Sequence, residues 1–583
     1  MNRNKKWILP VIALLLASVW SYAQTATSST HTTVQNIKLG PFSGNYFKPI
    51  VADGGGLIYR EFQTNEYKIL STTVSETNTA NMRLFLSDVN LGANSFIQLI
   101  SLYDNGTQRL DNKSIEDWYY SSAFFNGDAV EVQLWVAPGD NNVMLKVAST
   151  FAIEGFLGSP ESQCGTTDDR VASSDKKVGR LMPVGCTGWQ ISNGRFVTAG
   201  HCTGNMSIME FNVPSSTSNG TTVAASPSNQ YPVVANSIVF QNTTGTGNDW
   251  CTYNVNPNSN TGKLPNEANG VFNAFDQTYF RCTKDVLPGT SGSTTRITGF
   301  GVDFVPSGTG GGPCSGCNAS SQTNQTSAGP FVSETGSTTA VGLNYTVDTE
   351  GGNSGSPVII NNTLNTVGIH TNAGCVTNNA NPGANAGTSF EEDDLETAVQ
   401  NALGTGHLYI DENHPSATAS GTVMRPYKTV NAAVTAAAAN NTLNIVEGAY
   451  TETVITTKTL VMRAPVGLVV IGPSAFANLE TRYEEQGNET SSNSASSTND
   501  VAVMPNPFAN NFTMTLDLNS ERRCSAYITN MAGAVVKVVF SDKVFDQGQQ
   551  QISVDCSELA DGSYFIVVND GEKILRSKIN KLN

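Results

Sequence analysis

The sequence predicts a mainly β protein built from several domains, and three observations carry that reading. Apolar residues recur at every second position in short runs, as in Arg83-Leu84-Phe85-Leu86 and Val130-Glu131-Val132-Gln133-Leu134-Trp135, the period of a half-buried strand. Asn, Asp and Gly punctuate these runs and supply turns. At 583 residues the chain exceeds what one hydrophobic core usually serves, so roughly three to five units are predicted.

Residues 1–23 read as an export signal. Lys5 and Lys6 precede the apolar run Trp7 to Leu16, and Ser21-Tyr22-Ala23 supplies the small residues that a signal peptidase prefers, with the mature chain starting near Gln24. The run is shorter than the ~20 residues that cross a bilayer, and no later stretch approaches that length, so no stable membrane span is expected. Ten cysteines in an exported chain point to disulfides rather than metal thiolates or redox centres. A net charge of −16, with no basic run outside the signal, disfavours nucleic acid as a partner.

Residues 31–158 hold dense alternating runs between polar turns and predict an all-β sandwich. The stretch "LGANSFIQLISLYDNGTQRLDNKSIEDWYY" with "FNGDAVEVQLWVAP" is similar to the pro-regions of secreted bacterial trypsin-like proteases of the lysyl-endopeptidase kind. That likeness implies a pro-region, and a plain binding sandwich fits the same residues.

Residues 160–405 carry the chemistry. In "GCTGWQISNGRFVTAGHC", Trp189 and Ile191 lead into a turn at Asn193-Gly194, and Phe196-Val197 form a second strand that delivers His201. Cys186 and Cys202 sit at the ends of this hairpin, where a disulfide would pin the histidine-bearing turn. Far downstream, Gly351-Gly352-Asn353-Ser354-Gly355-Ser356-Pro357 sets a serine between glycines. Gly352 and Gly355 permit a sharp turn in which the N–H groups of Gly352 and Ser354 could point at a developing oxyanion, each worth ~3–4 kcal/mol. A plain Gly/Ser surface turn is the bland alternative, but strands are predicted on both sides, from Leu343 to Val347 before it and from Pro357 to Ile360 and Thr366 to His370 after it.

The two segments together resemble the trypsin/chymotrypsin family of secreted serine endopeptidases. The resemblance implies a chymotrypsin-like double β-barrel in which His201 is the base, Ser354 the nucleophile, and an aspartate between them in the chain orients the imidazole. Asp249, in "GTGNDWCTYNV", follows a polar turn and opens an alternating strand; Asp276, Asp285 and Asp303 lie in the same interval in poorer settings. The expected substrates are proteins or peptides, with no cofactor and no metal.

On specificity the sequence points two ways. Asp348, six residues before Ser354, occupies the place where trypsin-like enzymes attract Lys or Arg. The segments "YTVDTEGGNSGSPV" and "VGIHTNAG" are closer to the glutamyl endopeptidases of the family, and that likeness implies that Thr349 and His370 bind the carboxylate of an acidic substrate residue. Acidic preference is the favoured reading and basic preference the alternative. A catalytically silent surface adhesin is the reading from another class.

Further pairings of Cys164 with Cys375, Cys251 with Cys282, and Cys314 with Cys317 fit a stapled extracellular fold. The close pair Cys314 and Cys317 could also be half of a zinc ribbon or a thioredoxin motif, but a second pair or a strand-to-helix setting is missing. Leu395, Val399 and Leu403 at i, i+4, i+8 predict a helix from Glu391 to Leu403 that closes this unit.

Residues 406–477 look like the opening cap and first coils of a parallel β-helix of the pectate-lyase type. The piece is too short to stand alone, and it lacks a carboxylate cluster for calcium. Its His407 and His414 are read as structural or exposed. Residues 478–500 form a Ser/Asn-rich linker. Residues 501–583 open on Met504-Pro505-Asn506-Pro507-Phe508 and alternate through Phe512, Met514, Leu516 and Leu518. With Gly562-Ser563-Tyr564 and the late lysines, they resemble the C-terminal sorting domain of the bacterial type IX secretion system. That likeness implies outer-membrane secretion machinery as a partner and a secreted or cell-surface location. Cys524 and Cys556 could cross-link this domain.

Overall fold

A computed structural model of the protein describes residues 30–472 and 502–582 apart from internal stretches, among them 52–56, 154–162, 268–278, 288–293, 304–317 and 376–382. The signal and the linker therefore lie outside the described residues, as do Cys314, Cys317, Asp276 and Asp285. The protein is mainly β and divides into two compact units, residues 1–480 and 481–583.

The first unit begins with two antiparallel four-stranded sheets. One runs Thr30–Phe42, Val143–Ile153, Asn81–Asn90, Phe125–Asn126, and the other Lys68–Ser75, Ala129–Val136, Phe96–Ser101, Thr107–Leu110. The sequence alternation becomes burial alternation: in Ala129–Val136 every second residue is buried. Leu84, Leu99, Val132, Leu134 and Val147 fill the space between the sheets, and the same cluster takes in Met182, Ile208 and Ala224 from the neighbouring part of the chain. A core shared in this way joins the sandwich to the seven-stranded sheet that carries Met182 and Ile208.

That sheet has the strand order Gln230–Pro232, Met206–Glu210, Val178–Pro183, Cys186–Gln190, Phe196–Thr198, Asp249–Tyr253, Val239–Asn242. Among the described residues its end strands do not pair, so it is an open half-barrel. The edge strand Gln230–Pro232 is instead covered by the sandwich: Gln230 accepts from the Phe124 N–H at 2.8 Å and donates to the Phe124 carbonyl at 2.8 Å. The second barrel closes completely, because Gln325–Ser337 pairs both with Thr294–Gly299 and with Ala340–Tyr345, completing a ring through Pro357–Ile360, Asn365–Asn372 and Asn385–Ser389. Closure removes the exposed edges that an open sheet presents.

The helix Asp393–Asn401 comes next, shorter than its sequence pattern predicts by about a turn. Glu392 caps it by accepting from the Leu395 N–H, and Leu395 and Val399 are buried on the barrel side. Beyond it, His407–Ile410, Thr442–Ile445 and Val461–Arg463 pair in parallel, as do Gly448–Tyr450 and Val469–Ile471. This piece buries Tyr409, Val423 and Met424 against Trp189, Ile191 and Phe280. An ion pair between Arg281 and Asp411, 2.7 Å apart and almost wholly buried, ties it to the barrels. His414 is buried here, its Nε2 donating to the Cys282 carbonyl at 3.0 Å.

The second unit is a sandwich of two antiparallel sheets, Ala502–Met504 with Asn511–Leu518 and Gly548–Asp555, and Val535–Phe545 with Arg522–Asn530, Gly562–Asn569 and Ile574–Lys581. Phe512, Met514, Leu516, Ile528 and Ile566 form its core.

The cysteine expectations need correction in two places. Cys164 is bonded to Cys375 and Cys186 to Cys202, but Cys251, Cys282, Cys524 and Cys556 are buried thiols outside any disulfide. Cys251 lies in the core of the half-barrel and Cys282 in the cluster beneath the helix, so separate cores keep them apart. Cys524 and Cys556 likewise belong to different clusters.

Candidate active site

The hairpin Cys186–Gln190 to Phe196–Thr198 turns at Asn193-Gly194, where Gly194 takes φ +86°, and then releases the chain into a short 3₁₀ turn, Gly200–Asn205. Gly200 allows this turn to lie flat on its neighbours, since a Cβ there would fall 1.8 Å from the Gln241 carbonyl. The Cys186–Cys202 disulfide clamps the turn, and its sulfurs lie within 4.8 Å of a ring nitrogen of His201. Being oxidised, they offer no thiolate to a metal ion.

Asp249 opens the strand that pairs with Phe196–Thr198, which brings it beside His201. The contact is bidentate: the His201 main-chain N–H donates to Oδ1 at 2.9 Å, and Nδ1 lies 2.6 Å from Oδ2. A carboxylate can only accept here, so Nδ1 carries the proton and Nε2 of the neutral ring is left as the basic nitrogen. The Asp249 side chain is 8% exposed and that of His201 33%. Thr388, on the closed barrel, fixes Asp249 from behind: it accepts from the Asp249 N–H at 3.1 Å and donates to the Asp249 carbonyl at 2.9 Å. Asp303 is not near this group; it accepts from Asn318 and Gln325.

Ser354 lies in the turn between Ala340–Tyr345 and Pro357–Ile360, 7% exposed. Gly352 (φ +104°) and Gly355 (φ +88°) hold conformations that favour glycine. A Cβ on Gly355 would stand 2.2 Å from Thr198 Oγ1 and 3.0 Å from the Ala199 nitrogen, so the serine turn rests directly on the strand end that delivers His201. Three further contacts lock it: the Thr187 N–H donates to the Ser354 carbonyl at 2.9 Å, Trp189 Nε1 to the Gly355 carbonyl at 3.0 Å, and Cys202 Sγ lies 3.9 Å from the Ser354 carbonyl oxygen. Among the described residues, no acceptor takes the N–H of Gly352 or of Ser354.

The remaining residues singled out in the sequence part company. Asp348 is buried, and its two carboxylate oxygens accept main-chain N–H groups from Cys164 at 2.7 Å and Asp169 at 2.6 Å. Burial raises its pKa, and those two hydrogen bonds oppose the rise. Thr349 is fully buried and accepts from Asn385 at 2.8 Å. His370 is fully buried on Asn365–Asn372, with Nδ1 2.8 Å from the Tyr345 hydroxyl. Its main chain brackets the serine turn, since the Gly355 N–H donates to its carbonyl and its own N–H to the Ser356 carbonyl, both at 2.8 Å. Burial drives its pKa down to about 3.

Sequence reasoning misses Thr388, Tyr345 and Asn385. None has a local signature, because each reaches the site through strand register. Trp189 is legible only as a strand residue.

Residues 502–581 match the family described as the secretion system C-terminal sorting domain. That domain marks proteins exported by type IX secretion to the cell surface or extracellular space. Among the described residues, no helix is long and apolar enough to cross a membrane. No curated protein sequence matches the chain. Among solved structures, one titled HL collagenase is similar at 12% identity over 43% of this chain and 98% of that one, with a TM-score of 0.22, too low to carry an argument.

Proposed function

We propose that the protein is a secreted serine endopeptidase. The observation that carries the reading is the bidentate hold of Asp249 on His201, set against a serine turn in which the N–H groups of Gly352 and Ser354 have no acceptor among the described residues. In this reading Nε2 of His201 takes the Ser354 hydroxyl proton as the oxygen attacks a peptide carbonyl, and Asp249 stabilises the imidazolium that forms. The N–H groups of Gly352 and Ser354 receive the oxyanion. His201 then returns the proton to the leaving amine, and water hydrolyses the acyl-enzyme through the same base.

The substrate residue before the cleaved bond is read as acidic, with Glu preferred. Asp348 is read as a strut for the Cys164 to Asp169 segment, since it is buried and each of its oxygens accepts a main-chain N–H from that segment. His370 and Thr349 remain as buried hydrogen-bonding groups behind the serine turn, and they suit a carboxylate.

A serine-directed fluorophosphonate should label the purified protein once, and Ser354→Ala should abolish the label. Cleavage of a peptide library should concentrate after Glu. Labelling that survives Ser354→Ala would sink the assignment of the nucleophile, and cleavage mainly after Lys or Arg would sink the acidic preference. An adhesin with no catalytic activity would show neither labelling nor hydrolysis.

A further inference from the structure

One buried pair of residues has no part in the proposed chemistry yet touches both groups assigned to the substrate carboxylate. Tyr345 and Asn385 face each other in register across adjacent strands of the closed barrel. Tyr345 reaches His370, its hydroxyl 2.8 Å from Nδ1. Asn385 reaches Thr349, donating to Oγ1 at 2.8 Å, and is itself anchored by donating to the Val347 carbonyl and accepting from the N–H groups of Gly374 and Cys375. All four side chains are buried at 0% exposure.

The direction of each hydrogen bond follows from counting donors. Burial keeps the Tyr345 phenol protonated, and Nδ1 of His370 is the polar atom within its reach. If the hydroxyl accepted from Nδ1–H, its own proton and the Nε2 lone pair would both stay unpaired. If it donates to Nδ1, only the Nε2 proton is left over. Leaving fewer buried polar groups unpaired selects the second arrangement. Among the described residues, Nε2 of His370 is buried with no partner of hydrogen-bonding geometry, although the Ala386 backbone lies close enough to favour a proton on the ring. At Thr349 the same logic applies, because Oγ1 already accepts from Asn385 and its hydroxyl proton is free to donate.

We infer that Tyr345 is a specificity-positioning residue: its hydroxyl fixes the Nε2–H tautomer of His370, so that His370 and Thr349 present two neutral donors to one carboxylate of the substrate. The inference rests on the acidic preference proposed for the site. It adds that recognition is by hydrogen bonds from uncharged groups, not by a positive charge, since a ring that accepts the Tyr345 hydroxyl at Nδ1 carries one proton only. Gly387, opposite His370 in the ladder, makes room for the device, because a Cβ there would stand 3.1 Å from the Tyr345 hydroxyl.

Two measurements on the full chain test this. In the first, histidine-selective 15N NMR on the wild-type protein, with the His370 signal assigned by its loss in His370→Asn, should show a neutral ring protonated at Nε2; protonation at Nδ1 overturns the inference whatever the enzyme cuts. In the second, Tyr345→Phe, which keeps the ring and removes the hydroxyl, should lower kcat/KM for a Glu substrate about tenfold or more relative to the same peptide with Leu at that position, while fluorophosphonate labelling of Ser354 persists. An unchanged ratio in a labelled variant overturns the inference. If the wild-type enzyme shows no preference for Glu, the acidic reading itself falls and the inference goes with it. Should Tyr345→Phe fail to fold, the tautomer still decides.

Discussion

Asp249 grips His201 at two points, main chain and ring, and is itself held from the opposite barrel by Thr388. One aspartate thus joins the half-barrel to the closed barrel, its carboxylate on His201 and its main chain on Thr388. Asp249→Asn keeps the shape but offers an amide that can donate to Nδ1 and stabilise the wrong tautomer. Hydrolysis is expected to fall by about ten-thousandfold in kcat with little change in the unfolding midpoint. A loss below about tenfold, measured by peptide turnover, would remove Asp249 from the triad.

The serine turn should tolerate no added carbon. Gly355→Ala places a Cβ 2.2 Å from the Thr187 carbonyl and 2.2 Å from Thr198 Oγ1, in a conformation that L-residues avoid. Gly139 has nearly the same φ, +85°, with nothing within 4 Å. The difference isolates packing from backbone strain. Gly139→Ala is expected to cost about 1–2 kcal/mol and Gly355→Ala several kcal/mol more, read from urea unfolding of the two variants. Equal losses would show that the turn yields.

Acid should loosen the first unit through two histidines. Burial holds His370 down to about 3 and His414 to about 4. Below the ordinary value of ~6.5 the unfolded chain takes up protons that the folded chain refuses, so stability is lost as pH falls from there toward 4 and 3. Each group contributes a slope of about 1.4 kcal/mol per pH unit in that window. His414→Gln and His370→Gln should each flatten the dependence between pH 6 and 4.5 in denaturant titrations. Slopes identical to wild type would mean that these rings titrate normally.

The N-terminal sandwich should behave as part of the fold that carries His201 and Ser354. Gln230→Ala strands the Phe124 N–H, the Phe124 carbonyl and the Ala225 carbonyl, all buried, and is expected to destabilise by about 1–3 kcal/mol or more. Protein truncated before residue 160 loses the cover on Met182 and Ile208 and should aggregate or unfold at lower temperature. A truncated protein with unchanged melting temperature would show that the shared core is dispensable.

Legibility in the sequence follows the distance over which each feature is encoded. The histidine hairpin and the serine turn can be read because glycines, paired cysteines and alternating strands lie within a few residues of the reacting groups. The terminal helix is legible from Leu395 and Val399 for the same reason. Tyr345, Asn385 and Thr388 are invisible because they act through register between strands, which no local pattern specifies. The openness of the first barrel is equally hidden, since it depends on Gln230 meeting Phe124 from another domain. Proximity in the chain is a poor guide to cysteine pairing: Cys251 and Cys282 are close in sequence but sit in different cores.

The bond between Cys164 and Cys375 spans 211 residues of chain, and His201, Asp249 and Ser354 all lie within that span. A single backbone break anywhere inside it therefore leaves two fragments still covalently joined, running as one band without reductant and as two with it. For a chain exported to the cell surface or the extracellular space, this is damage tolerance: a nick becomes a scar rather than a dissociation.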